Sequence, residues 1–396
     1  MEMDTDKPSF DPIRVTERDR LLIVDWADGH QSAFHFLWLR DACQCELCGM
    51  PGFGDKTHAV VDIPEDVRPK EAKIDSGGRL VVEWSVQAHI SSYEGQWLRS
   101  HCYSKQERER RRSKSVLWDN NRLPDLNPVD YGQLVSDEET QFELLEKLRI
   151  AGIAIIRGAP AIEGVQGVAE CIGYLRETNY GRVYDIKLEE VPETFADLAG
   201  SAPPHTDEAF RPYPPGLIML HCVRPTSDGG GASVFIDGFE VVRRLREDDP
   251  QIVETLSRLP TAYHRTHPGE HEFLYQGRMI NLDQDGHVVG VRLATHSVGP
   301  PDLAWDQVEP YYRAVRKLTK ALRDPEVVVT RLLSAGEIAI TDNERVLHGR
   351  MPFTSGSARH IRGGMIDKDA MFSRWRILAK KLGKNLQVSF PGGIGA

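Results

Sequence analysis

Hydrophobic and polar positions alternate in short runs along the N-terminal quarter of the chain. Three of these runs have the apolar, β-branched or aromatic composition of strands: Leu21–Trp26, residues 34–39 and residues 80–84. Gly77 and Gly78 supply a turn just before the third run. The pattern predicts a small β-rich unit over residues 1–104, followed by a charged and turn-rich linker over residues 105–128. No internal repeat is evident in it.

The spacing of apolar residues changes from about residue 129 onward. Five segments have helical periodicity: residues 140–149, 165–176, 238–246, Pro250–Arg258 and residues 305–323. Short runs typical of strands alternate with loops between them: residues 153–156, 217–222, 233–236, 288–293, 327–332, 337–341 and His360–Ile366. Short strands separated by Gly- and Pro-containing turns predict a mainly β domain over residues 129–396. Its expected fold is a double-sheet jelly roll flanked by helices.

Composition places the chain among ordinary globular proteins, with 396 residues, 40% hydrophobic and 27% charged. The formal net charge of -10 argues against a nucleic-acid-binding protein, because affinity for phosphate needs a basic surface. A basic run at residues 108–114 lies in a polar, helix-prone stretch and is interpreted as a solvated interdomain segment. No apolar run approaches the ~20 residues of a membrane span, and the N-terminus is acidic. We therefore expect a cytoplasmic protein that does not bind membranes.

Two histidines and an aspartate are candidate ligands of a metal ion. His205 and Asp207 flank Thr206, and alternate residues of an extended segment point the same way. His348 follows the predicted strand at residues 337–341. Two imidazoles and one carboxylate leave open positions on Fe(II), which a bidentate 2-oxoacid and O2 can fill. For the His-Thr-Asp segment alone, a loop histidine beside a helix-capping aspartate is the alternative.

Arg359 strengthens the iron hypothesis. It follows His348 closely and begins the predicted strand His360–Ile366. A guanidinium group there can bind the distal carboxylate of 2-oxoglutarate with two parallel hydrogen bonds. The combination predicts an Fe(II)- and 2-oxoglutarate-dependent dioxygenase that hydroxylates a small substrate.

A second metal site is predicted from three crowded cysteines, Cys43, Cys45 and Cys48. In a reducing compartment such crowding favours metal over disulfides. Three thiolates suit a structural Zn²⁺ that needs one more ligand. The local candidates for that ligand are His58, His89, His101 and Cys102, and spacing alone does not choose among them. Free surface thiols are the alternative.

These motifs together resemble those of the γ-butyrobetaine dioxygenase family, within the taurine-dioxygenase-like 2-oxoglutarate oxygenases. The matching motifs run through nearly the whole chain: Trp38-Leu39-Arg40-Asp41, Trp97-Leu98-Arg99, His205-Thr206-Asp207, Pro214-Pro215-Gly216, Leu220-His221-Cys222, Asp237-Gly238-Phe239 and Leu347-His348-Gly349-Arg350. The resemblance implies a double-stranded β-helix (jelly-roll) core, with Fe(II) bound by His205, Asp207 and His348 and 2-oxoglutarate bound by Arg359.

The resemblance also implies further site residues and a partner. Leu220 and Thr194 match positions that line the 2-oxoglutarate site in that family, which usually has Asn where this chain has Thr194. His89 matches the fourth zinc ligand. The small domain of that family contributes to a homodimer contact, which implies a homodimer here, and ascorbate is the expected reductant.

The resemblance further implies a cationic substrate. Family members that hydroxylate γ-butyrobetaine hold its trimethylammonium head in a cage of aromatic rings. Tyr180 and Tyr184 match two cage positions, whereas Asp197 and Met365 stand where the family has tyrosines. Asp197 still suits a cation through its charge. Packing against the core is the alternative role for the two tyrosines.

The anionic end of the substrate site differs from the family pattern. The family commonly has an Asn pair after the strand at residues 288–293, where this chain has Arg292 and His296. Either residue can serve a different anion, such as a phosphonate. We therefore expect a betaine-like trimethylammonium substrate of the γ-butyrobetaine type, with 2-(trimethylamino)ethylphosphonate, trimethyllysine or an unrelated small acid as alternatives. Residues 189–202 are a candidate lid. A zinc-dependent scaffold with a vestigial iron site is the remaining hypothesis, and the presence of all iron ligands argues against it.

Overall fold

The computed structural model describes residues 10–49, 54–86, 88–112, 115–187, 198–267, 269–354 and 359–384 of the chain. These residues divide into two compact units, and the first unit ends at Arg112. The boundary falls within the stretch that the sequence marks as a linker. In the described part of the chain, no helix is both long enough and apolar enough to cross a membrane.

The first unit contains two three-stranded antiparallel sheets, each followed by a short helix. The first sheet and its helix are β1 (Pro12–Arg18), β2 (Leu21–Trp26), β3 (Gln31–His35) and α1 (Phe36–Asp41). The second sheet and its helix are β4 (Pro69–Ile74), β5 (Arg79–Trp84), β6 (Ile90–Glu94) and α2 (Gly95–Ser100). A third helix, α3 (Lys105–Arg111), begins after Ser104, whose hydroxyl accepts the backbone N–H of Glu107.

The two halves of this unit are copies of one βββα module, so the expectation of no internal repeat is wrong. In both copies a tryptophan ends the middle strand, and its indole N–H donates to a serine at 2.9 Å: Trp26 to Ser32 and Trp84 to Ser91. Both helices also contain the tripeptide Trp-Leu-Arg. The repeat is difficult to detect in the sequence because few residues are identical between the copies, although these tryptophans, serines and helices occupy equivalent positions.

The predicted strand at residues 34–39 is wrong beyond His35, because α1 begins at Phe36. Phe36, Leu39 and Arg40 are buried on one face of that helix. A short apolar run cannot by itself distinguish a buried helix from a strand. The other two runs form the middle strands β2 and β5, as predicted.

The second unit contains the two sheets of a double-stranded β-helix. The six-stranded sheet has the order β7 (Val129–Asp130), β8 (Ile153–Arg157), β18 (Ile338–Asp342), β11 (Leu217–Arg224), β20 (His360–Ile366) and β9 (Val183–Lys187). The four-stranded sheet has the order β10 (Ala202–His205), β19 (Val346–Arg350), β12 (Ser233–Asp237) and β17 (Val329–Arg331). Neighbouring strands are antiparallel, except for β7 and β8. The predicted jelly roll is therefore confirmed.

Outside these two sheets, the described part of this unit contains seven α-helices and two hairpins. The helices are α4 (Tyr131–Ser136), α5 (Glu138–Ala151), α6 (Gly164–Ile172), α7 (Gly238–Asp248), α8 (Pro250–Arg258), α9 (Trp305–Ala321) and α10 (Lys368–Lys381). The hairpins are β13 (Thr261–His267) with β14 (His271–Gly277), and β15 (Ile280–Leu282) with β16 (Val288–Val291). Helix α6 ends earlier than predicted, before Gly173.

Three apolar layers hold this unit together. One cluster packs α4, α5, α6 and α10 against the six-stranded sheet, and another packs α7, α8 and α9 against β15, β16 and the four-stranded sheet. The third lies between the two sheets and includes Trp118, Phe235 and Ile361. Burial on both faces makes the central strands continuously apolar, which explains why most of them could be predicted from the sequence.

Candidate functional site

Two histidines and an aspartate come together in the four-stranded sheet. His205 ends β10 and lies directly opposite His348 in β19. The Nε2 atoms of His205 and His348 are 3.1 Å and 3.6 Å from Oδ1 of Asp207. Among the described residues, two groups bring three or more His, Cys, Asp or Glu ligand atoms within 4.8 Å of one another. This trio is one of them.

The extended conformation predicted for the His-Thr-Asp segment holds only as far as His205. Strand β10 ends there, and residues 207–210 form a turn. In this turn Glu208 has a φ of 53°, in the left-handed region that non-glycine residues rarely adopt. The ligand atoms therefore converge because the chain turns after His205 and because β19 lies beside β10.

Hydrogen bonding and charge prepare the trio for a cation. Nδ1 of His205 donates to the carbonyl of Pro203 at 2.9 Å, which directs Nε2 toward Asp207. Burial opposes ionisation of Asp207, but the neighbouring His348 and the hydrogen bond from His205 outweigh it and hold the pKa of Asp207 at about 2. Burial lowers the pKa of His348 to about 4. A carboxylate flanked by two imidazole nitrogens is a donor set that fits Fe(II).

Two sets of hydrogen bonds fix the main chain around Asp207. The side-chain carbonyl of Asn343 accepts the N–H of Asp207 at 2.7 Å, and its amide donates to the carbonyls of Asp207 and Pro215 at 3.0 Å. On the other side, the N–H of Thr206 donates to the carbonyl of Leu293 at 2.6 Å, and the hydroxyl of Thr206 accepts the N–H of Leu293 at 2.9 Å. Asn343 was not identified from the sequence, since its role depends on contacts distant along the chain.

Arg292 lies close to the turn at residues 207–210 and is hydrogen-bonded to main-chain carbonyls in and just after this turn. Its guanidinium donates to the carbonyls of Ala209, Arg211 and Pro212 at 3.0, 2.6 and 3.1 Å. It also lies over the ring of Tyr275, at 4.5 Å from the centroid. The structure therefore places Arg292 beneath the turn that follows Asp207, and not among the three candidate iron ligands.

Of the three residues predicted to bind 2-oxoglutarate, the structure describes two. Arg359 immediately precedes β20, and burial together with the nearby Arg350 lowers its pKa to about 10. It lines a small, partly open pocket together with Cys222 and Ser233, which belong to the two opposite sheets. Leu220 packs in the apolar layer between the sheets. Thr194 lies outside the described residues.

Two of the predicted substrate residues form a corner of aromatic rings. The centroids of Tyr180 and Tyr184 are 5.7 Å apart, and the ring planes meet at 48°. Tyr184 lies on β9 opposite Gly363 of β20, where a Cβ atom would be 2.4 Å from its ring. Burial and the negative charges of Asp207 and Glu208 raise the pKa of Tyr184 well above its usual value. Asp197 and most of the candidate lid lie outside the described residues.

Two further residues border this region. His296 meets the ring of His205 edge to face, with centroids 5.1 Å apart. Glu208 is buried and pairs with Arg211 at 2.9 Å, and the N–H groups of Arg211 also donate to Asn179, next to Tyr180. Glu208 follows a predicted ligand directly, but only the structure shows that its carboxylate is buried and paired with Arg211.

The second convergent group consists of Cys43, Cys45, Cys48 and His89. Nε2 of His89 lies 3.3, 3.7 and 3.5 Å from the three sulphur atoms in that order. Three thiols and one imidazole at these distances fit a closed tetrahedral zinc site. Arg40 donates to the sulphur of Cys48 at 3.2 Å, a contact that favours the thiolate, but burial outweighs it and raises the pKa of Cys48 to about 11.

The other candidates for the fourth zinc ligand have different neighbours. His58 lies 3.6 Å from Asp41, and Nδ1 of His101 donates to the carbonyl of Trp97 at 2.7 Å. Cys102 lies 3.5 Å from His30. The geometry thus selects His89, which spacing alone could not do.

Two family models match the chain. The model described as "Taurine catabolism dioxygenase TauD, TfdA family" matches residues 116–365, which contain all three candidate iron ligands. The model described as "Gamma-butyrobetaine hydroxylase-like, N-terminal" matches residues 13–78, which contain the three clustered cysteines.

Similar proteins cover most of the chain. The gamma-butyrobetaine dioxygenase of Pseudomonas sp. (strain AK-1) is 35% identical over 364 residues, which are 90% of this chain and 93% of the relative. The gamma-butyrobetaine dioxygenase of Homo sapiens is 27% identical over 374 residues, 91% of this chain and 95% of the relative. The trimethyllysine dioxygenase of Meyerozyma guilliermondii is 27% identical over 384 residues, 90% of this chain and 92% of the relative.

Proposed function

Since the chain belongs to the TauD/TfdA family and, within it, to the γ-butyrobetaine dioxygenase group, we propose that it hydroxylates a C–H bond of a small trimethylammonium compound of the betaine type. The reaction is that of a 2-oxoglutarate-dependent dioxygenase. The observation that carries the proposal is the convergence of His205, Asp207 and His348 in a chain that matches such relatives over nine-tenths of its length.

Each residue of the site has a positioning task in this proposal. His205, Asp207 and His348 bind Fe(II), and the guanidinium of Arg359 pairs with the distal carboxylate of 2-oxoglutarate. When bound together with 2-oxoglutarate and O2, Fe(II) supplies the oxidation of the C–H bond, with succinate and CO2 as co-products. The protein holds the target carbon at the metal, since a misplacement of ~1 Å can cost ~10²-fold in rate.

The aromatic corner supports a cationic substrate. The faces of Tyr180 and Tyr184 can bind a trimethylammonium group through the negative potential of their rings. The buried carboxylate of Glu208 contributes to the raised pKa of Tyr184 and adds negative charge to the region, although Arg211 offsets part of it. We therefore assign the cationic head of the substrate to the space beside these tyrosines.

The candidate substrates differ in their anionic groups, so the residue that binds this group would discriminate among them. All donors of Arg292 named above are bound to main-chain carbonyls, so His296 is the better candidate to contact an anion near the metal. γ-Butyrobetaine is the first candidate substrate. Trimethyllysine, which is named in similar proteins, and 2-(trimethylamino)ethylphosphonate are the alternatives.

A substrate panel tests the proposal. Succinate release is measured with Fe(II), 2-oxoglutarate and each of γ-butyrobetaine, trimethyllysine, 2-(trimethylamino)ethylphosphonate and glycine betaine, together with their unmethylated amines. We expect turnover only with trimethylammonium compounds, and a hydroxylated product in mass spectrometry. Turnover restricted to molecules without a cationic head would contradict the assignment of Tyr180 and Tyr184.

A pair of variants tests the metal assignment. His205→Ala is expected to abolish succinate formation and to lower the affinity for Fe(II). His264→Ala is the matched control, because this histidine lies on the exposed face of the β13–β14 hairpin and contacts Glu272. Succinate formation by His205→Ala at the wild-type rate would refute the assignment of the trio.

Three further properties are part of the proposal. Cys43, Cys45, Cys48 and His89 hold a structural Zn²⁺. The protein acts in the cytoplasm as a homodimer, and ascorbate keeps its iron reduced. Light scattering after size-exclusion chromatography measures the mass of the assembly, and omission of ascorbate from the assay measures its contribution to total turnover.

A further inference from the structure

The two βββα modules of the first unit place related residues at related positions. We define module 1 as residues 12–48 and module 2 as residues 69–111. A single shift of 59 positions relates four residue pairs: His30 to His89, Trp38 to Trp97, Arg40 to Arg99 and Cys43 to Cys102. In each module, the histidine's carbonyl accepts the N–H of the tryptophan that ends the middle strand, at 3.0 Å in module 1 and 2.9 Å in module 2.

In the zinc cluster, a histidine of one module lies beside a cysteine of the other. The same holds for a second cluster around His30 and Cys102, which we call the counterpart. His89 of module 2 lies 3.3 Å from the sulphur of Cys43 in module 1. Conversely, His30 of module 1 lies 3.5 Å from the sulphur of Cys102 in module 2. Because the exchange is reciprocal, each Cys–His pair joins one module to the other.

The remaining positions of the counterpart carry different chemistry. The same shift matches the other two cysteines to residues without a thiol: Cys45 to Ser104 and Cys48 to Glu107. The arginine contact is nevertheless retained. Arg40 donates to the sulphur of Cys48 at 3.2 Å, and Arg99 donates to Oε1 of Glu107 at 2.9 Å.

Positive charge at the counterpart comes from guanidinium groups. Arg99 is 3% exposed and bridges Glu107 of module 2 and Asp28 of module 1, at 2.9 and 2.8 Å. Arg110 pairs with the other oxygen of Glu107 at 2.8 Å. A carboxylate that is 1% exposed needs such partners. Two cations beside it disfavour a divalent metal, and Cys102 with His30 supplies only two of the four ligands of a structural zinc site.

We propose that the two modules are joined by two clusters of common design, a zinc ion at Cys43, Cys45, Cys48 and His89 and, at the counterpart, the buried ion pairs of Arg99 with Glu107 and Asp28 in place of a metal. The inference rests on the zinc site that is part of the proposed function. It makes the counterpart a latent metal site, in which two substitutions restore the missing thiols.

A cadmium titration of the metal-free full-length chain tests this inference. Absorption by Cd–thiolate bonds counts only sulphur-bound metal, so the iron trio does not contribute. The native chain is expected to saturate at one equivalent. The double variant Ser104→Cys/Glu107→Cys recreates the Cys-x-Cys-x-x-Cys spacing and is expected to bind a second equivalent, with about twice the absorption. Lys105→Cys/Gln106→Cys adds the same number of thiols out of register and is expected to bind one.

The outcomes separate the two proposals. A native chain without thiolate absorption would remove the zinc site itself. A native chain that binds two sulphur-bound ions would overturn the role of Arg99 and leave the zinc site intact. A folded Ser104→Cys/Glu107→Cys protein that binds only one would overturn the register of the repeat.

One further variant does not depend on added cysteines. Arg99→Met leaves Glu107 and Asp28 without their shared partner and is expected to lower the melting temperature of the cadmium-loaded chain by several degrees. Lys73→Met, which removes an exposed pairing with Glu71 in β4, is the control and is expected to leave it unchanged. An Arg99→Met chain as stable as the native one would overturn the guanidinium assignment.

Discussion

Replacement of Asn343 tests how the main chain of an iron ligand is held in place. The Asn343 side chain makes three hydrogen bonds, of 2.7, 3.0 and 3.0 Å, to the main chain of Asp207 and Pro215. It is 1% exposed, so water cannot substitute for these partners. Asn343→Ala therefore leaves one N–H and two carbonyl groups without their side-chain partner.

The expected magnitude follows from those three contacts. At about 1 kcal/mol for each net hydrogen bond, Asn343→Ala costs about 3 kcal/mol of folding free energy. Loss of a group that orients a metal ligand typically weakens metal binding by about 10- to 100-fold. Asn343 acts on the main chain and not on the carboxylate itself, so we expect the lower end, about tenfold or ~1.4 kcal/mol.

Anaerobic titration with Fe(II) in the presence of 2-oxoglutarate measures this affinity, and thermal unfolding of the same samples measures stability. Gln141→Ala is the matched control, because Gln141 is also a buried amide that donates to a main-chain carbonyl, that of Leu134, at 3.0 Å. The control is expected to lose stability and to keep its affinity for Fe(II). The reasoning is refuted if Asn343→Ala binds Fe(II) within twofold of wild type, or if Gln141→Ala weakens binding equally.

Three other predictions concern residues around the candidate iron site and the residue proposed to bind 2-oxoglutarate. Lys368→Met should lower the melting temperature, because it leaves Asp342 and Glu344 unpaired around the turn that carries Asn343. Burial opposes the charge on Lys368 but these carboxylates outweigh it and raise its pKa, so the wild-type advantage should be present at neutral pH and decline in alkali, above the usual lysine pKa of about 10.4. Tyr180→Leu should raise the KM for the cationic substrate about 5- to 30-fold, as expected for ~1–2 kcal/mol of cation–π attraction, and leave the KM for 2-oxoglutarate unchanged. Arg359→Met should raise the KM for 2-oxoglutarate and lower its binding in equilibrium dialysis, and unaltered dialysis would contradict its assignment.

The sequence predicts the chemistry of both metal sites better than the elements that carry them. Ligand type and approximate order along the chain suggest the iron trio and the cysteine cluster, because few residue types bind these metals. Strand β19, which carries His348, was missed. Its sequence, Val-Leu-His-Gly-Arg, contains three residues that are not typical of strands, yet all five are buried between β10 and β12.

The hairpin formed by β13 and β14 was also missed, because polar residues occur on both of its faces. Its exposed outward positions are polar or charged except for Leu274, and its inward positions include Arg265 and His267. Periodicity in apolar residues is therefore weak on both faces. The pairing is held by a continuous antiparallel register from Thr261 opposite Gly277 to His267 opposite His271, which no local pattern specifies.

The turn after His205 shows why the geometry of a site cannot be derived from its ligands alone. Nothing local favours a left-handed conformation at Glu208, and such a conformation costs ~1 kcal/mol or more for a residue with a side chain. Asn343 holds the turn before that residue, and Arg292 holds its far end through three carbonyl groups. Both come from segments far along the chain. Asp207 can therefore face the two imidazoles only after the jelly roll has closed, so its position depends on the whole fold and not on the His-Thr-Asp segment.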